Sequence, residues 1–186
     1  MMNFDAYVSG LKKFYEDNGL RLALNPGASA GELHSAEQAP GIKIDRHLKA
    51  AWAIANGGKS RVVLAREGFV TGYEFLSIQQ ALKERAGFEK RAPRYEGYED
   101  PEKRDKRIRA GWFQPGWLPF AAFGRSTLVL MLDHSPAAAG KQGQIIAYAD
   151  DTDRISYVCP DFPGLLAGSL KQITSEPDDF LEQLEE

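Results

Sequence analysis

Residues 111–153, GWFQPGWLPFAAFGRSTLVLMLDHSPAAAGKQGQIIAYADDTD, decide how this chain must fold. Trp112, Phe113, Trp117, Phe120 and Phe123 crowd together, interrupted by Pro115, Gly116 and Pro119. Proline and glycine exclude a continuous helix there, so the rings are expected on a loop held against the core. Thr127–Leu132 is short, apolar and β-branched at its start, the pattern of a strand covered on both faces. Gln144–Ala149 makes a second strand, and Asp150-Asp151-Thr152-Asp153 turns it towards a third at Arg154–Val158. The unit is an antiparallel β-meander pinned by tryptophan.

Upstream, Phe4, Tyr7, Val8, Leu11, Phe14 and Tyr15 keep the i, i+3, i+4, i+7 spacing of an amphipathic helix over residues 3–17, stopped by Asn18-Gly19. Leu20, Leu22 and Leu24 alternate as a short strand would. Ser29 with Glu32 is a capping-box signature for a short helix to about Gln38, and Ser77 with Gln80 is another. After Pro40-Gly41, a helix carrying Leu48 and Trp52 ends at Asn56-Gly57-Gly58. Arg61–Ala65 and Tyr73–Leu76 suggest two short strands around a turn at Gly68 and Gly72. Phe162, Leu165, Leu166, Leu170 and Ile173 form a closing helical stripe with Asp161 as its cap, and Ser175 and Asp178 open a last acidic turn or helix carrying Phe180, Leu181 and Leu184.

Composition narrows the class. With 186 residues, 43% hydrophobic and 26% charged, the chain suits one globular domain. We divide residues 1–186 into a core at 29–173, a charged insert at about 83–111 and an acidic extension at 174–186. Net charge is −3, which does not favour nucleic acid, and one cysteine, Cys159, cannot form an internal disulfide. No apolar run approaches the ~20 residues that span a bilayer. The polar N-terminus lacks a signal-peptide pattern, so the expected location is cytoplasmic.

The compositional anomaly is 83–109, which holds 10 of the 23 basic residues with seven acids interleaved. Asp100-Pro101 suits a helix start there. The expectation is an exposed, mobile polar loop and a solvated helix. Nucleic-acid contact through this stretch is the rival, but the acids neutralise much of its field.

No catalytic constellation emerges. Asn56–Ser60 ends like a phosphate loop, but the glycine required upstream is Ala53, and a helix precedes the loop where a strand should. Read as a calcium loop from Asp151, the chain offers Ser156 and Phe162 where Gly and Glu belong. His34, His47 and His134 are scattered and lack helical zinc spacing. Asp133-His134-Ser135 places three triad residue types side by side, yet neighbours in an extended segment point apart, so ordinary surface-loop roles are expected. Cys159 beside an apolar strand suits a small buried hydrophobe. The aromatic cluster at 112–123 suits core anchoring better than a ligand cage. No cofactor or metal is expected.

Taken in order, these motifs resemble the SUKH superfamily, which includes the yeast cell-wall-assembly regulators and many bacterial toxin-immunity proteins. The resemblance rests on Glu37 before Pro40, the Leu48/Trp52 helix ending at Asn56-Gly57-Gly58, Phe75-Leu76-Ser77, Trp117-Leu118-Pro119-Phe120-Ala121, Gly124, and Gly143-Gln144-Ile145-Ile146 with Tyr148. It marks Trp52, Gly57, Trp117, Pro119 and Phe120 as structural anchors. It implies an α+β domain, an antiparallel sheet flanked by helices, without enzymatic activity. Its implied partner is a protein: a toxin, often a nuclease, neutralised by occlusion, or alternatively a regulatory or cell-wall protein scaffolded by an adaptor. Asp150, Asp151 and Asp153 are candidates for partner contact, since acids steer basic surfaces.

Overall fold

The computed structural model describes residues 1–38, 41–58 and 60–181; Ala39, Pro40, Lys59 and the tail from Glu182, with Leu184, lie outside the described residues. Its elements run α1 (Phe4–Asp17), α2 (Ala30–Glu37), α3 (Arg46–Ile54), β1 (Leu64–Ala65), β2 (Gly72–Phe75), α4 (Ile78–Arg91), β3 (Trp117–Phe123), β4 (Leu128–Asp133), β5 (Gln144–Ala149), β6 (Arg154–Cys159), α5 (Phe162–Ser175) and α6 (Pro177–Leu181). The six strands form one curled antiparallel sheet in chain order, an α+β arrangement. Both capping boxes form, Ser29 with Glu32 and Ser77 with Gln80, and the Asp161 carboxylate accepts from the Gly164 amide at 2.9 Å.

The sheet is buried on both faces because each meets its own aromatic layer. On one face, Phe4 of α1 packs on Phe75 with centroids 5.4 Å apart, and Phe162 of α5 meets Phe120 edge-on at 5.6 Å. On the other, Phe88 of α4 meets Tyr148 of β5 edge-on at 5.0 Å, and Trp112 packs beside both. Each such pair adds about 0.5–1.5 kcal/mol beyond its burial.

A relay of hydroxyls ties the β1 segment to the helices. The Ala65 amide donates to Ser169 Oγ at 2.8 Å, Ser169 lies 2.7 Å from the Tyr7 hydroxyl, and Tyr7 donates to the Val63 carbonyl. The Tyr15 hydroxyl serves the Val62 carbonyl at 2.7 Å. Backbone groups at the β1 edge of the sheet are thus paired without a further strand.

Several expectations need correction. The aromatic segment at 117–123 is a strand, β3, and only Trp112 and Phe113 lie on the preceding loop. Pro119 is tolerated because pairing to β2 reaches only Ala121 and the β3–β4 register slips between Pro119 and Ala121, where the ladder is already broken. Leu20–Asn25 makes a single bridge, Leu24 to Gly58, and no strand.

The charged stretch is not a solvated helix. Helix α4 runs into it to Arg91, followed by a 3-10 turn at Ala92–Tyr95. Asp100 caps nothing and instead pairs with Arg104 at 2.6 Å. Arg85, Phe88 and Ile108 are buried, and Tyr95 stacks on Trp112 at 4.1 Å. Apolar residues spaced through the charges supply the anchorage that composition concealed.

Candidate functional site

The five residues expected as anchors, Trp52, Gly57, Trp117, Pro119 and Phe120, are all buried. Trp117 and Phe120 are buried in β3, as is Pro119. Trp117 sits opposite Asp133 in the ladder, its indole nitrogen near that carboxylate but outside hydrogen-bond geometry. Trp52 donates from its indole to the Leu76 carbonyl at 2.9 Å and stacks on Phe75. Gly57 has φ +82°, and a Cβ there would lie 2.6 Å from the Ser77 backbone nitrogen, so only glycine lets α3 turn this close to the start of α4.

Asp133-His134-Ser135 is a fastening rather than surface chemistry. His134 Nδ1 donates to the Gly116 carbonyl at 3.0 Å, while Nε2 accepts the Asp45 amide, also at 3.0 Å. Asp133 accepts from the Ser135 amide and, through its other oxygen, from Gln144 Nε2. Burial lowers the His134 pKa and raises that of Asp133.

The acidic turn divides. The Asp153 carboxylate accepts from the Trp112 indole at 2.9 Å and the Tyr148 hydroxyl at 2.8 Å, and its carbonyl takes the Tyr98 hydroxyl. This residue therefore joins the charged stretch to the meander, and it does so at φ +50°. Asp150 is exposed, 3.7 Å from Arg91, and Asp151 is exposed. Of the three acids, Asp150 and Asp151 face solvent most freely.

Asp151 also lines a cavity of about 680 Å³ between the β1–β2 connection, the β4–β6 end of the sheet and α5. Arg66, Phe69 and Tyr73 form one wall and Arg154, Tyr157 and Cys159 another. The Arg66 guanidinium lies 3.9 Å from the Phe69 ring centroid and bonds the Tyr73 hydroxyl. Burial pushes the Cys159 thiol up to about 12, and its sulfur bonds the Asp161 carbonyl, so it lacks the thiolate character of a nucleophile. Among the described residues, no group of three or more His, Cys, Asp or Glu could hold a metal. No helix there is long and apolar enough to cross a membrane.

Sequence reasoning did not single out Arg66, Phe69 or Tyr73. Only Phe69-Val70, apolar residues in a turn, gave a local signal. The cavity itself joins segments some 80 residues apart.

A search of curated proteins finds no match. A family model does match residues 27–168, from the stretch before α2 into α5, and so covers both the anchors and the residues that line the cavity. The chain belongs to the SMI1 / KNR4 family (SUKH-1).

Proposed function

We propose that this chain is a non-enzymatic, cytoplasmic protein-binding domain that acts as an immunity protein, neutralising a bacterial toxin by covering its active site. The observation that carries the reading is the family match over residues 27–168. The surface is compatible with it. Asp150 and Asp151 stand exposed beside an open cavity, where acids would raise the association rate of a basic nuclease. Asp153 is proposed as a support for this surface, since its carboxylate already holds Trp112 and Tyr148.

Nucleic-acid binding through residues 83–109 is disfavoured by internal pairing. Arg85 binds the Pro115 carbonyl and Glu89, Arg104 binds Asp100, and Arg107 binds Asp105. Lys83, Lys90, Arg94, Lys103, Lys106 and Arg109 stay exposed, but the interleaved acids offset much of their field.

The test is co-expression with a candidate toxin, sought among the genes that neighbour this one. Wild-type chain is expected to restore growth, and Asp150→Lys with Asp151→Lys is expected to slow association at low salt. Absence of protection, with a regulatory or cell-wall protein recovered as the bound partner, would replace immunity by the adaptor role.

A further inference from the structure

Among the described residues, Arg66 is the one lining the cavity that keeps a buried polar atom without a partner. Its Nε is shut off from solvent and has no hydrogen-bond partner. Among the described residues, no carboxylate forms an ion pair with it. Glu67 pairs with Lys171, Arg154 with Glu102 and Asp161 with Lys141, while Asp151 lines the cavity exposed to solvent. Burial draws the Arg66 pKa below its ordinary value, offset in part by the Tyr73 hydroxyl and Cys159, while the nearby Arg154 charge adds to the lowering. A guanidinium desolvated in this way is prepared for an anion, and a charge-assisted bond to a carboxylate supplies what the fold leaves out.

Beside it, Phe69 and Val70 are 48% and 59% exposed, two of the four large apolar residues so exposed among those described. They stand on the β1–β2 connection next to the cavity, where they would rim an incoming apolar group. A free carboxylate small enough to sit on Arg66 would leave that apolar rim uncovered. A phosphate dianion would bring two charges to a single unpaired cation.

We infer that the cavity receives a carboxylate side chain flanked by an apolar residue, presented by a protein partner, with Arg66 holding the carboxylate and Phe69 and Val70 covering its apolar neighbour. This rests on the reading of the chain as a protein-binding domain. The volume of about 680 Å³ holds one or two side chains. The strand that forms part of its wall, β6, is the last in the sheet, so an extended partner segment can approach alongside. The acids at 150–151 attract a basic partner from a distance, whereas Arg66 selects one acidic residue at contact; the two roles act at different ranges.

The experiment selects binders of the full chain from a random displayed peptide library, then titrates the best peptide by fluorescence anisotropy. The selected peptides are expected to share an Asp or Glu next to an aromatic or aliphatic residue. Changing that acid to its amide, or Arg66→Gln in the protein, should each weaken binding about tenfold or more, as expected for loss of a bond to a charged group. Val70→Ser leaves Arg66 and its Phe69 contact in place, so it should weaken binding while leaving the melting temperature unchanged; this guards against misfolding of Arg66→Gln. A selection without binders, a consensus lacking an acid, equal binding to Arg66→Gln, or N-acetylglycine competing as well as the peptide would each overturn the proposal. Toxin protection retained by both variants would sink this inference alone. Acidic peptides that bind a chain giving no protection would sink the immunity reading alone.

Discussion

His134 is held by two backbone contacts that require its neutral form. With Nδ1 donating to Gly116, Nε2 must accept from the Asp45 amide, and a proton on Nε2 would set two N–H groups against each other. An unfolded histidine titrates near 6.5, and burial depresses the folded value, so below that pH the unfolded chain binds the extra proton more readily. The stability His134 contributes is thus complete above about pH 6.5 and is lost as pH falls towards its folded pKa. The charges beside it are Asp45 and Asp133. Burial raises the Asp133 pKa above 3.8, so that group works in the opposite direction, favouring the fold at low pH and less as pH rises through its folded value. Comparing wild type with His134→Gln isolates the histidine. Between pH 7 and pH 5 the wild-type melting temperature should fall more steeply than that of the variant, and parallel curves would contradict the assignment.

At the level of elements, the β3–β4 hairpin carries the clearest strain. Its turn places Arg125 at φ +57° and Ser126 at φ +66°, a twist that suits Asn-Gly and costs ordinary residues. The Ser126 hydroxyl donates to Glu84 of α4 at 2.5 Å, which holds the turn against the helix. Arg125→Asn keeps that bond and fits the left-handed conformation better. It should raise stability by about 0.5–1 kcal/mol, read as a higher urea midpoint at an unchanged slope; a lower midpoint would show that Arg125 makes a contribution in place. The elements themselves were largely legible, because their signals are local: the apolar spacing of α1, the two capping boxes, and the alternation and turn residues of the meander. β3 was misread because Pro119 signals a break, and only the ladder shows that the break coincides with a register slip. The Asp100 helix was misread for a related reason, since the Tyr95–Trp112 stack and the Tyr98 hydroxyl bond to the Asp153 carbonyl tie this stretch to residues far along the chain. The cavity was illegible for the same cause. Arg66, Tyr73 and Cys159 meet only after the sheet has curled.

For the whole molecule, the family match and the folded unit do not coincide. The match begins at residue 27, yet α1 lies before it and places Phe4, Tyr7, Leu11 and Tyr15 in the same core cluster as Trp52 and Trp117. Its tyrosines do more than fill space. Tyr7 and Ser169 form one relay from the Ala65 amide to the Val63 carbonyl, so α1, α5 and the β1 segment are fastened at one point. Arg66 follows that segment directly, and the placement of the cavity wall therefore depends on a helix outside the match. Tyr7→Phe keeps the ring but leaves the Val63 carbonyl without this donor, which should cost about 1–3 kcal/mol, the usual penalty for a buried polar group left unpaired. Ser169→Ala breaks the same relay, so the double variant should lose less than the two single losses added together. Urea denaturation of the three variants measures this. If the losses simply add, the two hydroxyls act independently and α1 is attached by its apolar face alone.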